Sequence, residues 1–185
     1  MRNKETHLLL RNNFTHFFEK MSTKTTEARY IDYCLSRVSL TTSEFDCRRT
    51  SDPHMIITEL IKLSSPRHMD KESYTCLLMK TLYDFEHNNN IIVNSANVSL
   101  ITAYALLMLV KQLEDEHYLN INRLWAETLN INLKYFNRLE ILFLIKAEFT
   151  MPTLEEAIQF KEDWQFLEYL SKRLDTQPNK KIKIS

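Results

Sequence analysis

The 185 residues of this chain include no glycine, and that omission removes most of the ways a backbone is sharply bent. Ordinary usage of roughly 7% would place about thirteen in a chain of this length. Glycine takes positive φ at no steric cost and lets a backbone lie directly against a ligand. Without it, Walker loops, Rossmann fingerprints and G-x-S-x-G elbows are excluded, and most nucleotide-dependent catalysis goes with them. The Asn-Gly and Asp-Gly turns that favour hairpins are missing as well. Asparagine, the next-best residue for a left-handed helix cap, is plentiful at Asn12-Asn13, Asn88-Asn89-Asn90, Asn130 and Asn132. The pattern suits an all-α chain whose helices end on asparagine.

Hydrophobic residues make up 44% of the chain and aromatics 11%, enough to fill the core of one domain. The 24 basic and 24 acidic side chains cancel, so no net field gathers nucleic acid or an anionic membrane surface. The Lys180-Lys181-Lys183 tail is too short to change that. Cys34, Cys47 and Cys76 are odd in number and lack C-x-x-C spacing, which argues against a disulfide framework or zinc knuckle. The expected compartment is reducing and intracellular, cytoplasmic or nuclear. The most apolar run, Ile101 to Val110, is followed at once by Lys111 and is too short to cross a bilayer. Leu8-Leu9-Leu10 gives way to Arg11-Asn12-Asn13, so no signal peptide is expected. The Asn13-Phe14-Thr15 and Asn97-Val98-Ser99 sequons then read as accidental.

Between prolines 53, 66, 152 and 178, apolar residues recur at helical rather than alternating spacing. Helices are predicted from about Glu5 to Met21 and from Thr26 to Val38. The Ser/Thr-rich run Ser39 to Ser51 has no periodicity, reads as a loop and is the best candidate for disorder. Asp52-Pro53 opens a third helix that ends before Pro66, and a fourth runs from Asp70 to about His87, stopped by the Asn triplet. Residues 91–93 form an extended connector, and Asn94-Ser95 or Asn97 caps a helix from Val98 to about Glu116. That helix is apolar on nearly every face and is expected at the centre of the domain. Helices from Ile121 to Thr128, Leu133 to Lys146 and Leu154 to Leu174 complete the pattern.

From Asn94 to Phe149, residues Asn94-Ser95, Asn97-Val98, Lys111, Asp115, Tyr118, Asn120, Trp125-Ala126, Asn137, Leu139-Glu140 and Phe143-Leu144 stand in order and without a gap. In that spacing the chain resembles the P/U-type cyclins, the single-box cyclins of phosphate-responsive kinases. The likeness runs loosely back to Ile56 and finds no counterpart in the first fifty residues. It implies an all-α fold with a cyclin-box-like helical domain at 52–174, a single five-helix box with a C-terminal helix in addition. Residues 1–51 would be an N-terminal helical extension and loop, and 175–185 a polar tail. It further implies a regulatory subunit, not an enzyme, that binds a cyclin-dependent-type protein kinase and needs no cofactor. Lys111 and Glu140 occupy the positions of the polar pair that contacts the kinase in cyclins, and the apolar anchors are expected among Leu107, Phe143, Leu144 and Phe149. Asn97, Asp115, Tyr118, Asn120 and Asn137 would stabilise the box. The chain departs from the family pattern at Leu100, where an arginine is usual, and at Leu109-Val110, where a small pair is. It departs again at Gln112, in place of an aromatic, and at Leu129-Asn130, in place of two glycines.

Three other readings stand beside this one. A cyclin-fold scaffold that has lost kinase binding would carry the same pattern. Glu114-x-x-His117 and Asp84-x-x-His87 resemble the carboxylate–imidazole pairs of di-metal helical bundles, but they lie near helix ends in polar runs, and no carboxylate interrupts the central apolar helix. Each cysteine lacks an identifiable base, and a cysteine on an apolar helix face is usually a small core residue.

Overall fold

The computed structural model describes residues 25–39, 42–47, 52–64, 69–113 and 120–176. Among them are seven α-helices and no strand: α1 (Thr26–Ser36), α2 (Pro53–Ser64), α3 (Lys71–Asn89), α4 (Val98–Leu113), α5 (Ile121–Thr128), α6 (Leu133–Lys146) and α7 (Leu154–Thr176). The helix expected at 5–21 lies outside the described residues, as do 177–185 of the tail.

Local chemistry sets the helix ends. Asp52 Oδ1 accepts from His54 N at 3.0 Å ahead of α2, with Pro53 in the first helical position, where its missing N–H costs nothing. Asp70 accepts from Ser73 N at 2.9 Å, and these Ser73 hydrogen bonds, side-chain first and then backbone, hold its carboxyl below the usual range. Thr153 and Glu156 form a reciprocal capping box on α7: Thr153 N donates to Glu156 Oε2 at 2.8 Å, and Glu156 N donates to Thr153 Oγ1 at 3.2 Å. Two of the expected asparagines supply left-handed turns, with φ of 53° at Asn90 and 49° at Asn130, and Asn120, not among them, supplies a third at 74°. Asn132 does a different job. It caps the start of α6, accepting from Lys134 N and Tyr135 N at 2.9 and 3.3 Å.

The core forms around α4, whose residues 98–110 are all buried. Helices α2, α3 and α6 pack directly on it. Tyr104 of α4 donates its hydroxyl to Phe136 O at 3.0 Å, which satisfies the one polar atom this ring brings inside. Phe85 of α3 stacks on Phe143 of α6 at 4.4 Å between ring centroids, and Tyr104 lies 4.8 Å from Phe136 and 5.8 Å from Phe143.

Of the run 39–51 expected as the best candidate for disorder, 40–41 and 48–51 lie outside the described residues, and 42–47 correct that expectation. Residues 42–47 are coil, as their lack of periodicity predicts, but they are packed rather than disordered. Phe45 is fully buried, meeting Phe85, Tyr104 and Phe143 edge-on at 5.6–6.2 Å. The backbone around it is tied at both ends: Ser43 N and Oγ donate to the Asp46 carboxylate at 3.1 and 2.9 Å, and Cys47 N donates to Ala96 O at 2.8 Å. A lone aromatic in a polar run leaves no period to detect.

A second aromatic group joins the chain's early and late helices. Tyr30 of α1 meets Trp164 of α7 at 5.1 Å, and Phe160 of α7 meets Tyr83 of α3 at 4.8 Å. Arg29 pairs with Glu168 at 3.0 Å, Gln165 donates to Thr26 Oγ1 at 3.0 Å, and Lys161 pairs with Glu72. At the end of α1, Arg37 engages Glu86 at 2.5 Å, and Glu86 Oε2 also accepts from Val93 N at 3.1 Å. Burial is the largest single influence and lowers the Arg37 pKa, but the hydrogen bond to Glu86 and the nearby Tyr33, Glu86 and Cys34 side chains together outweigh it, and the pKa is raised.

Replacing Phe45 by alanine removes a ring from the centre of the aromatic group, and large-to-small changes of this kind cost about 3–5 kcal/mol. The expected result is a denaturant midpoint lowered accordingly for Phe45→Ala, followed by far-UV circular dichroism, with the native helix content unchanged before the transition. A loss below about 1 kcal/mol, the size typical of a loop position, would contradict this packing.

Candidate functional site

Where α4 leaves the core, its last turn presents Lys111, a cation at the negative end of the helix dipole. Glu140 comes from the middle of α6 and Asn122 from the first turn of α5. Lys111 Nζ donates to Glu140 Oε1 at 2.5 Å, and Asn122 Nδ2 donates to Glu140 Oε2 at 2.6 Å. Asn122 Nδ2 also reaches Asn137 Oδ1 at 3.0 Å. The Glu140 side chain is 11% exposed and the Lys111 side chain 41%, so the carboxylate is held inside while the ammonium meets water. A carboxylate this enclosed is tolerable only with both oxygens engaged. Here a cation takes one oxygen and an amide the other. Sequence reasoning picked out Lys111, Glu140 and Asn137 but missed Asn122. Its only signal is a place in the first turn of a short amphipathic helix, two residues after Asn120.

The four expected apolar anchors separate. Leu107 and Phe143 are fully buried, Leu107 inside α4 and Phe143 against Phe85 and Tyr104. They are core residues covered by their own chain, which corrects their reading as contact residues. Leu144 is half-buried, and Phe149 is 62% exposed. Ile141 and Ile145, which the motif did not single out, are 59% and 58% exposed on α6. One helical turn apart, they share a face. Glu148 and Phe149 both have φ of 53°, a left-handed conformation that is costly for side chains of this kind. It turns the chain sharply as α6 ends.

Asn97 is buried, with Oδ1 accepting from Asn94 N at 2.9 Å and Nδ2 donating to Ile92 O at 3.0 Å and Asp46 Oδ1 at 3.4 Å. Asn120 makes the left-handed turn into α5. Asp115 and Tyr118 lie outside the described residues. Leu100, Leu109, Val110 and Leu129 are buried, so the bulk that departs from the family pattern goes into the core. Asn130 takes the positive φ at a position where the family carries glycine.

Asp84 accepts from Lys80 at 2.5 and 2.6 Å, and His87 stacks on Tyr83. Glu114 and His117 lie outside the described residues. Among the described residues no three metal-ligating side chains converge, and no helix is long and apolar enough to cross a membrane. Burial pushes the Cys34 thiol up to about 12, far from the range in which a thiolate attacks.

Two expected outcomes follow. Lys111→Ala leaves an enclosed carboxylate with one oxygen unpaired and costs about 1–3 kcal/mol. Glu140→Gln costs less, because Lys111 returns to water, and the double variant recovers most of the loss. Urea midpoints of the three variants test this ordering. In folded protein at pH 8.5, iodoacetamide modifies the half-exposed Cys47 and spares the buried Cys34 and Cys76, as mapped by mass spectrometry. Early modification of Cys34 would contradict its burial.

The cyclin family model matches residues 17–151, about three quarters of the chain. The match takes in α1 to α6 and reaches back into the first fifty residues, where motif spacing found no counterpart. No curated protein and no solved structure matches significantly. With a match of this extent on an all-helical core built around one buried helix, the chain belongs to the cyclin family.

Proposed function

We propose that this chain is a regulatory subunit that docks on a cyclin-dependent-type protein kinase through the surface around Lys111 and Glu140, and that it stands with the P/U-type cyclins. The observation that carries the reading is the fixed Lys111–Glu140–Asn122 cluster, whose Glu140 comes from the helix that also exposes Ile141 and Ile145, with Phe149 exposed just after its end. Apolar anchors supply affinity in such a contact, and a charged group at its rim sets orientation and rejects wrong partners. Leu144 and Phe149 remain from the family-based set, and Ile141 and Ile145 take the places of Leu107 and Phe143.

The mechanism is binding without chemistry. A subunit that fits one conformation of a kinase better than another shifts the kinase toward that state by the difference in affinity. The partner places the protein in the cytoplasm, the nucleus or both. A second reading, a cyclin-fold scaffold that no longer binds a kinase, is favoured by Gln112, which is exposed where the family carries an aromatic.

Affinity capture from native cell extract separates the two readings. Wild-type protein is expected to retain a kinase, and the folded Lys111→Ala/Glu140→Ala double variant and Ile145→Asp to retain at least about tenfold less, equivalent to 1.4 kcal/mol. Met55→Asp, on the exposed side of α2, retains as much as wild type. Capture of no kinase by any form supports the scaffold.

A further inference from the structure

Helices α1, α2 and α3, none of which contributes to the Lys111–Glu140 cluster, enclose a cleft of about 290 Å³. Its floor is apolar: Ile31, Ile57, Leu78, Met79 and Leu82 line it, all otherwise buried in the core. Thr75 also lines it, but its hydroxyl is turned back onto the carbonyls of Lys71 and Glu72 at 3.0 and 2.9 Å. That hydroxyl therefore adds little polarity to the floor.

The charged side chains that line the rim among the described residues are both lysines. Lys62, in the last turn of α2, and Lys71, at the start of α3, both line the cleft and are exposed, and among the described residues no carboxylate lines it. His54 lines it too, paired with Asp32 at 2.8 Å. Glu59 lies 3.6 Å from Lys62, both well exposed, and a solvent-facing pair of this kind holds a lysine only weakly. In a chain with no net charge, an apolar slot with a lysine on each of two helices selects for a negative head on an apolar body. The volume narrows the choice. It lies near the lower end of the roughly 300–1,000 Å³ usual for small-molecule sites and is too small for a partner helix about 10–12 Å across.

We propose that this cleft binds an amphiphile with one aliphatic chain and a single anionic head, of the medium-chain carboxylate class. The chain lies along Ile57, Leu78 and Leu82, and the head sits between Lys62 and Lys71. This binding is independent of the kinase reading and stands or falls separately from it.

The test titrates the full chain with decanoate, and in parallel with uncharged 1-decanol, by calorimetry. Methyl NMR of the Ile, Leu and Met side chains locates the site. Decanoate is expected to bind at least about tenfold more tightly than 1-decanol and to shift the methyls of Ile57, Leu78, Met79 and Leu82. Lys62→Gln/Lys71→Gln removes that advantage while leaving 1-decanol binding unchanged, and Thr58→Trp, which fills the cleft, abolishes both. Because both lysines are exposed, the lysine variant keeps the test decisive if Thr58→Trp does not fold. Equal binding of the two probes, decanoate affinity unchanged in the lysine variant, methyl shifts elsewhere, or no binding at millimolar decanoate would each overturn the proposal. The last result would leave the cleft to an apolar side chain of this protein or of a partner.

Discussion

A helix with no wet side has to be surrounded, and α4 is such a helix: residues 98–110 are all shut away from water. The other elements are arranged around that requirement. Helices α2, α3 and α6 cover it directly, and the coil that carries Phe45 closes the gap they leave over Tyr104 and Phe143. The position of the polar cluster follows as well. Lys111 is the first exposed residue after the buried run, so the charge stands where the central helix re-enters solvent. There a carboxylate from α6 can meet it without being carried deep into the core.

Much of this was legible in the sequence because it rests on periodic or punctuating signals. Apolar spacing of three and four residues marked the described helices, and proline and asparagine marked their ends. The resemblance to cyclins, rather than any local signal, brought Lys111 and Glu140 together across two helices. The signals failed where the physics is not periodic. Phe45 is one ring in a run of polar residues, and its burial depends on what α3, α4 and α6 leave open rather than on its neighbours. Glu148 and Phe149 take left-handed backbone without the asparagine that signals it elsewhere.

The misplaced anchors follow from a different limit. A family pattern records residues retained for packing and residues retained for contact in the same way, and Leu107 and Phe143 belong to the first kind. Ile141 and Ile145 lie outside the motif, yet they are among the apolar residues that α6 turns to solvent. Exposure, which no motif encodes, separates the two kinds. Helix α7 adds a related point: it starts after the family match ends at residue 151, yet it is joined to α1 by ring contacts, an ion pair and an amide hydrogen bond.

The left-handed turns at Asn90, Asn120 and Asn130 also bear on the state from which the chain folds. Each accepts the steric penalty that glycine would avoid, but a residue with a side chain explores far fewer backbone states when unfolded. Substitutions that restrict the unfolded chain in this way stabilise by about 0.4–1 kcal/mol each where the native geometry tolerates them. A chain of 185 residues without glycine therefore begins from a narrowed ensemble, and part of its stability resides in conformations it never visits.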